Sequence, residues 1–270
     1  MLALGILMAL IVSWNINSVK SRLLHLIKFI EANQPDVLLL QEIKCEKHNF
    51  PFLELEELGY NIAVHGQKSY NGVAILSKSP TEDVFTALIE EPDFKEHARY
   101  IECFTRVHGL NLRVASVYVP QGTEVDSERF AFKLRFYKAM EARYRQILMQ
   151  DEMLVAGGDY NVAPENIDVY DPKKLDGSLG FHLEERKSFR SLLNMGMKDS
   201  FRVLNPLSHE YSWWDYRSSG WQHHKGMRID QILVSPNAAN HLQSAGVYSE
   251  VRGWEKASDH APIFCKLTNL

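Results

Sequence analysis

The chain has 270 residues, 45% of them hydrophobic, and a formal net charge of −4 at pH 7. That balance excludes a general attraction to polyanions, so a nucleic-acid partner would need a local basic face. Cys45, Cys103 and Cys265 are odd in number and unrelated in spacing, which fits neither a disulfide framework nor a zinc site and suits a reducing cytoplasm.

Residues 1–12 are almost wholly apolar, yet too short to span a bilayer and without the basic flank or cleavage pattern of an export signal. We read residues 10–14 as the first core strand, and residues 1–9 as an extended start with Met8 as an alternative initiator. Asn17 and Ser18 are candidate caps for a helix that places Leu23, Leu26, Ile27 and Ile30 on one face. Pro35 follows its end, and the apolar run 37–41 suits a strand buried on both sides. Gly72 leads into a short strand at 73–76. Extended runs at 100–107 and 112–119 flank His108-Gly109 and predict a hairpin. A long helix is expected over 127–150, then a strand at 153–156 closed by Gly157-Gly158. Residues 162–183 form a long polar stretch of the kind that is functional or disordered. A helix at 184–195 and strands at 211–214, 227–234 and 261–267 complete the reading. No linker composition appears, so one α/β layered domain spanning 1–270 is expected.

Chemistry concentrates where strands end. Glu42 directly follows an apolar run, where an unpaired charge is costly and a hard divalent cation would relieve it; pairing with Lys44 or exposure to solvent is the alternative. In Gly158-Asp159-Tyr160-Asn161 the two polar side chains share one face of an extended chain while Tyr160 points away. An aspartate there can accept a proton or bind metal, and an asparagine can donate to a phosphate; a simple turn would use the same residue types. Asp230 sits inside an apolar alternation and wants a partner, which His260 can supply, since a carboxylate commonly fixes a histidine's tautomer. Asp259 would then face metal or water. Tyr118, closing another strand, is either a phosphate contact or a core tyrosine. Asn15 ends the first strand.

Taken together, Ser13-Trp14-Asn15, Leu40-Gln41-Glu42-Ile43-Lys44, Gly72-Val73-Ala74-Ile75-Leu76-Ser77 and Tyr118-Val119-Pro120-Gln121-Gly122 resemble the exonuclease III family of the endonuclease/exonuclease/phosphatase superfamily. Gly158-Asp159-Tyr160-Asn161-Val162, Tyr211-Ser212-Trp213-Trp214-Asp215-Tyr216-Arg217, Arg228-Ile229-Asp230 and Ser258-Asp259-His260-Ala261-Pro262 extend the resemblance over nearly the whole chain. The aromatic stretch ending at Arg217 separates that family from inositol phosphatases and sphingomyelinases.

The resemblance implies a four-layer, deoxyribonuclease-I-like sandwich, two packed mixed sheets flanked by helices. It implies a Mg²⁺-dependent enzyme, with Mn²⁺ as a substitute, that cuts duplex DNA 5′ to abasic sites and clears nucleotides or blocking groups from 3′ ends; a monomer is expected. Asn15, Glu42, Asp159, Asn161 and Asp259 fall on its metal-associated positions. Tyr118, Asp159, Asn161, Asp230 and His260 fall on its catalytic ones. Trp213 and Met227 are placed at a pocket for a flipped abasic sugar, with Trp214 in the core. Lys44, Arg99, Gln121, Arg217, Lys225, Arg228 and His260 are candidate phosphate contacts. Ile43 and Tyr160 depart from the family's usual residues without touching the expected chemistry.

Overall fold

The computed structural model describes residues 7–88 and 97–269; residues 1–6 of the apolar amino terminus lie outside them. Among the described residues, twelve strands form two six-stranded mixed sheets. The first runs β11 (Leu242–Val247), β12 (Ile263–Thr268), β1 (Met8–Asn15), β2 (Val37–Gln41), β4 (Val73–Ser77), β3 (Asn61–His65). The second runs β5 (Thr81–Phe85), β6 (Tyr100–Val107), β7 (Leu110–Tyr118), β8 (Met153–Asp159), β10 (Asp230–Val234), β9 (Lys198–Asp199). Each sheet holds one parallel pair at its centre, β1 with β2 and β7 with β8. A helix joins the strands of each pair: α1 (Leu23–Asn33) in the first sheet, α2 (Glu128–Met149) in the second. α3 (Leu183–Asn194) lies beside α2.

Side-chain alternation sets the layers. Ile11, Val37, Leu39 and Ile75 face Ile101, Val114, Val155 and Ile232 between the sheets. The intervening Val12, Trp14, Leu38 and Leu40 pack outward on Leu26, Phe29 and Ile30 of α1. Val117, Leu154 and Ala156 pack outward on α2 and α3 through Phe136, Tyr137, Met140, Phe189 and Leu192. The result is helix, sheet, sheet, helix, the four-layer order expected.

The hairpin at His108-Gly109 forms as expected, with φ of 48° and 85°, the paired left-handed residues of a tight turn whose twist matches its strands. Ser127 caps α2 by accepting from the Phe130 N–H at 3.1 Å.

Several boundaries differ from the sequence reading. Asn17 and Ser18 do not cap α1; both have positive φ, and the helix begins at Leu23 after Arg22, with no side-chain cap bond. Gly157 and Gly158 do not end β8 but lie inside it, because the sheets approach closely there: a Cβ on Gly157 would stand 2.8 Å from Leu39 Cδ1 and 2.9 Å from Ser13 Cβ. Residues 211–214 are not a strand. The Ser212 hydroxyl accepts from the N–H groups of Ile229 and Asp230, so a side chain occupies donors a neighbouring strand would use. Only isolated bridges join Trp213 to Met227 and to His260. The following strand accordingly starts at Asp230 rather than 227. β3, β5 and β11 lack an unbroken apolar run, since each keeps exposed or half-buried positions.

Candidate active site

The carboxyl ends of both parallel pairs open on the same side of the molecule. Asn15 is paired in register with Gln41, and Tyr118 with Asp159. Each pair is extended by one equivalent bond, Ile16 N–H to the Gln41 carbonyl (3.0 Å) and Val119 N–H to the Asp159 carbonyl (2.9 Å). The chain then turns sharply: Glu42 and Asn161 both take left-handed φ, 49° and 52°. These turns aim side chains from two sheets into one cleft.

Asn15 stands at the meeting point, its Nδ2 donating to Glu42 Oε1 (2.8 Å) and Asp159 Oδ2 (3.0 Å). Donor atoms of Glu42, Asp159 and His260 lie within 4.8 Å of one another. His260 Nδ1 is 2.8 Å from Asp230 Oδ2, and Nε2 is 3.8 Å from Asp159 Oδ2. Ser212 Oγ donates to Asp230 Oδ2 at 2.6 Å and holds the carboxylate behind the ring.

The electrostatics follow from crowding. Burial pushes the Asp159 carboxyl well above its usual range; Asp230 and Glu42 add to this against the pull of His260. Burial alone would lower His260, but Asp230 and Asp159 outweigh it and hold the ring as imidazolium. Glu42 feels burial too, yet Lys44, with Nζ 2.8 Å from Oε2, and the Asn15 amide keep it below the ordinary carboxylate range. The pairing with Lys44 and the seat among potential metal donors, alternatives from sequence, both occur. Asp259 is half-buried, and against that desolvation it is likewise held low, chiefly by His260 and by bonds from Asn17 Nδ2 (2.8 Å) and Trp213 Nε1 (3.1 Å). Burial, with Glu42 nearby, raises the Tyr118 phenol far above its usual range, so it remains a donor. The Asn161 N–H donates to Asp159 Oδ1 (2.9 Å), and its Nδ2 to the Val119 carbonyl (2.9 Å).

A family of endonucleases, exonucleases and phosphatases matches residues 12–260. The chain belongs to that family. It is 34% identical to the exodeoxyribonuclease III of Haemophilus influenzae over 94% of this chain and 98% of that one. Among solved structures, it is similar to a 3′-5′ exonuclease from Neisseria meningitidis, with TM-score 0.90 and 37% identity over 96% of this chain and 99% of the other. An AP endonuclease from Archaeoglobus fulgidus superposes with TM-score 0.88 at 32% identity, covering 97% and 99% of the two chains.

Family membership lends weight to the surroundings of the cleft. Trp213 is half-buried, its ring 6.5 Å from that of His260, and it packs with Met227, Phe181, Ala163, Val169 and Ile229 in a small apolar cluster. Trp214 is core, as expected. The Arg99 guanidinium stacks 4.6 Å from the Tyr118 ring. Gln121, Arg217 and Lys225 are exposed on loops. Arg228, expected as a phosphate contact, is instead fully buried; its Nε lies 2.7 Å from Asp168 Oδ1 and Nη2 2.8 Å from Asp199 Oδ2. An arginine two residues before a buried strand is paired here with internal carboxylates, not with a ligand.

Sequence reasoning missed Asn17 and Ser212. Asn17 lies two residues after Asn15, and its Oδ1 also accepts from Lys44 Nζ at 2.6 Å. Its spacing carried the signal, but the same residue type suits a helix cap. Ser212 is hidden among aromatics, and nothing in its neighbours points to Asp230.

Proposed function

We propose that the chain is a Mg²⁺-dependent DNA repair nuclease that hydrolyses the phosphodiester 5′ to abasic sites and clears nucleotides or blocking groups from 3′ ends of duplex DNA. The observation that carries this reading is the bridge from Asn15 to Glu42 and Asp159, carboxylates from separate sheets brought together beside the His260–Asp230 pair. A relative named exodeoxyribonuclease III matches 94% of the sequence, and a structure named AP endonuclease superposes over 97% of the chain.

The residues fit a hard divalent cation. Oxygen donors dominate the cluster, with the Glu42 and Asp159 carboxylates and His260 offering atoms within 4.8 Å of one another. Glu42 and Asp159 would hold the ion, with Asn15, Asn161 and Asp259 around them; Mn²⁺ offers the same chemistry. A bound ion would supply charge neutralisation at the phosphate and at the departing 3′-oxygen.

Protein groups account for the rest. Asp159, a better proton acceptor for being buried, takes the proton of the attacking water. The Asn161 amide has two N–H groups, one spent on Val119 and one free to meet the phosphate. The His260 imidazolium, aligned by Asp230, and the protonated Tyr118 hydroxyl stabilise charge on the phosphate oxygens. Products are a 3′-hydroxyl and a 5′-phosphate. The apolar cluster of Trp213 and Met227 would receive a sugar that has lost its base, whose extrusion costs little stacking. Lys44, Arg99, Gln121 and Arg217 would meet backbone phosphates. Three free, buried thiols suit a reducing compartment, and we assign the chain to the cytoplasm as a monomer.

A labelled duplex with one abasic site, incubated with and without Mg²⁺ beside an inositol phosphate, tests the assignment. Nicking of the duplex 5′ to the site, only with the ion, is expected. Asp159→Asn should cost ~10²–10⁴ in rate while sparing duplex binding, or roughly 3–5.5 kcal/mol of barrier. Near-normal turnover by that variant, or hydrolysis of the inositol phosphate in place of DNA, would overturn the reading.

A further inference from the structure

Behind the cleft lies a buried ion pair that touches no substrate-facing atom. Lys133, on α2, and Glu185, on α3, have no accessible surface. Lys133 Nζ donates to the carbonyls of Gln121 (3.2 Å) and Asn161 (2.7 Å) and to the Glu185 carboxylate. Glu185 Oε2 accepts from the N–H groups of Gly180 (2.9 Å) and His182 (3.0 Å). Gly180 in turn receives the Ala163 N–H on its carbonyl at 2.8 Å. One ammonium–carboxylate pair therefore fastens three loops: the one after Tyr118, the one after Asp159, and the long polar stretch whose Phe181 and Val169 form the Trp213 pocket.

Packing does not explain this arrangement. Desolvating two full charges is costly, and an apolar pair of equal volume is often as stable or more so. What an apolar pair cannot supply is three directed N–H donors. Two of them end on backbone carbonyls, and one of those belongs to Asn161, a residue held in left-handed conformation at φ 52°. The same residue carries the N–H that aligns Asp159 Oδ1.

We propose that Lys133, held by Glu185, is a positioning residue that fixes the Asn161 backbone, and with it the Asp159–Asn161 geometry and the pocket wall. The inference rests on the nuclease reading for its kinetic consequence, but not for its structural one. It concerns neither metal binding nor direct contact with DNA.

The test compares wild type, Lys133→Arg and the double variant Lys133→Met with Glu185→Gln. The double variant removes both charges, while the glutamine oxygen can still accept from Gly180 and His182. In the double variant, kcat for abasic-site nicking should fall about 10–100-fold, the range expected when a supporting group outside the contact layer is lost. KM and duplex affinity should change less than kcat, because Lys44, Arg99 and Arg217 bond to neither member of the pair. Lys133→Arg, which keeps donors, should recover part of the loss. Amide hydrogen exchange provides the second readout. Residues 161–163 and 180–182 should exchange at least about ten-fold faster, with residues 154–156 of β8 still protected. Wild-type kcat in a folded double variant overturns the proposal, as does unchanged exchange in those segments. Loss of protection spreading into 154–156 also overturns it, by making the pair a general stabiliser. If wild type cuts no DNA the nuclease reading falls, and exchange still decides the positioning role.

Discussion

Asp230 serves the cleft without facing it. Its Oδ2 accepts from Ser212 Oγ and lies 2.8 Å from His260 Nδ1, which leaves Nε2 pointing toward Asp159. Asp230→Asn keeps the shape but removes the charge that sustains the imidazolium, so kcat should drop about 10–100-fold with little change in fold. Single-turnover nicking measured beside circular dichroism checks this; full activity would show that His260 needs no partner. Most residues of the cleft were legible because each stands at the end of an apolar run, where a polar side chain is conspicuous. Arg228 was misread for the same reason. Nothing local distinguishes a polar residue that meets ligand from one that meets Asp168 and Asp199 in the interior.

Elements place those residues through close approach of the sheets. Ser13, Gln41 and Ser116 form a buried polar seam under the site, with Gln41 Nε2 donating to Ser13 Oγ (3.2 Å) and Ser116 Oγ (2.9 Å). Gly157 is a point of close approach, since a Cβ there would press on Leu39 and Ser13. Gly157→Val should therefore destabilise the chain by about 1–3 kcal/mol, as overpacking a dense core does. The urea midpoint at unchanged slope is the measurement, and an unaltered midpoint would mean the sheets part without cost. The helices and central strands could be read from periodicity, because their apolar faces are continuous. Edge strands β3, β5 and β11 could not, since solvent on their exposed positions erases the alternation. The glycine pair in β8 looked like a stop signal only because the opposing sheet was out of sight.

At the scale of the molecule, cation binding at a site that crowds carboxylates should couple to stability. A cation that binds the folded state alone adds about 2.7 kcal/mol at a hundred times its Kd. For a chain of this size that corresponds to a Tm rise of roughly 5–10 °C. Mg²⁺ or Mn²⁺ should produce this rise in a thermal melt, a chelator should reverse it, and Glu42→Gln should remove most of it. Equal shifts in wild type and Glu42→Gln would take Glu42 out of the ion site. Each sheet sends the carboxyl ends of a parallel pair to the same face, so the ligands depend on both halves folding together.

The order of residues alone determined the layered α/β architecture, the family resemblance, and most of the side chains that meet at the cleft. Those features are written in short segments, as hydrophobic period and as polar residues at strand ends. Only the tertiary structure decided that Asn15 would bridge Glu42 and Asp159, that Ser212 would hold Asp230, and that Lys133 would tie three loops from behind. These are contacts between residues 12 to 144 positions apart in the chain. They are fixed by how two sheets face each other and by which groups are thereby taken out of water, and neither leaves a trace in local sequence.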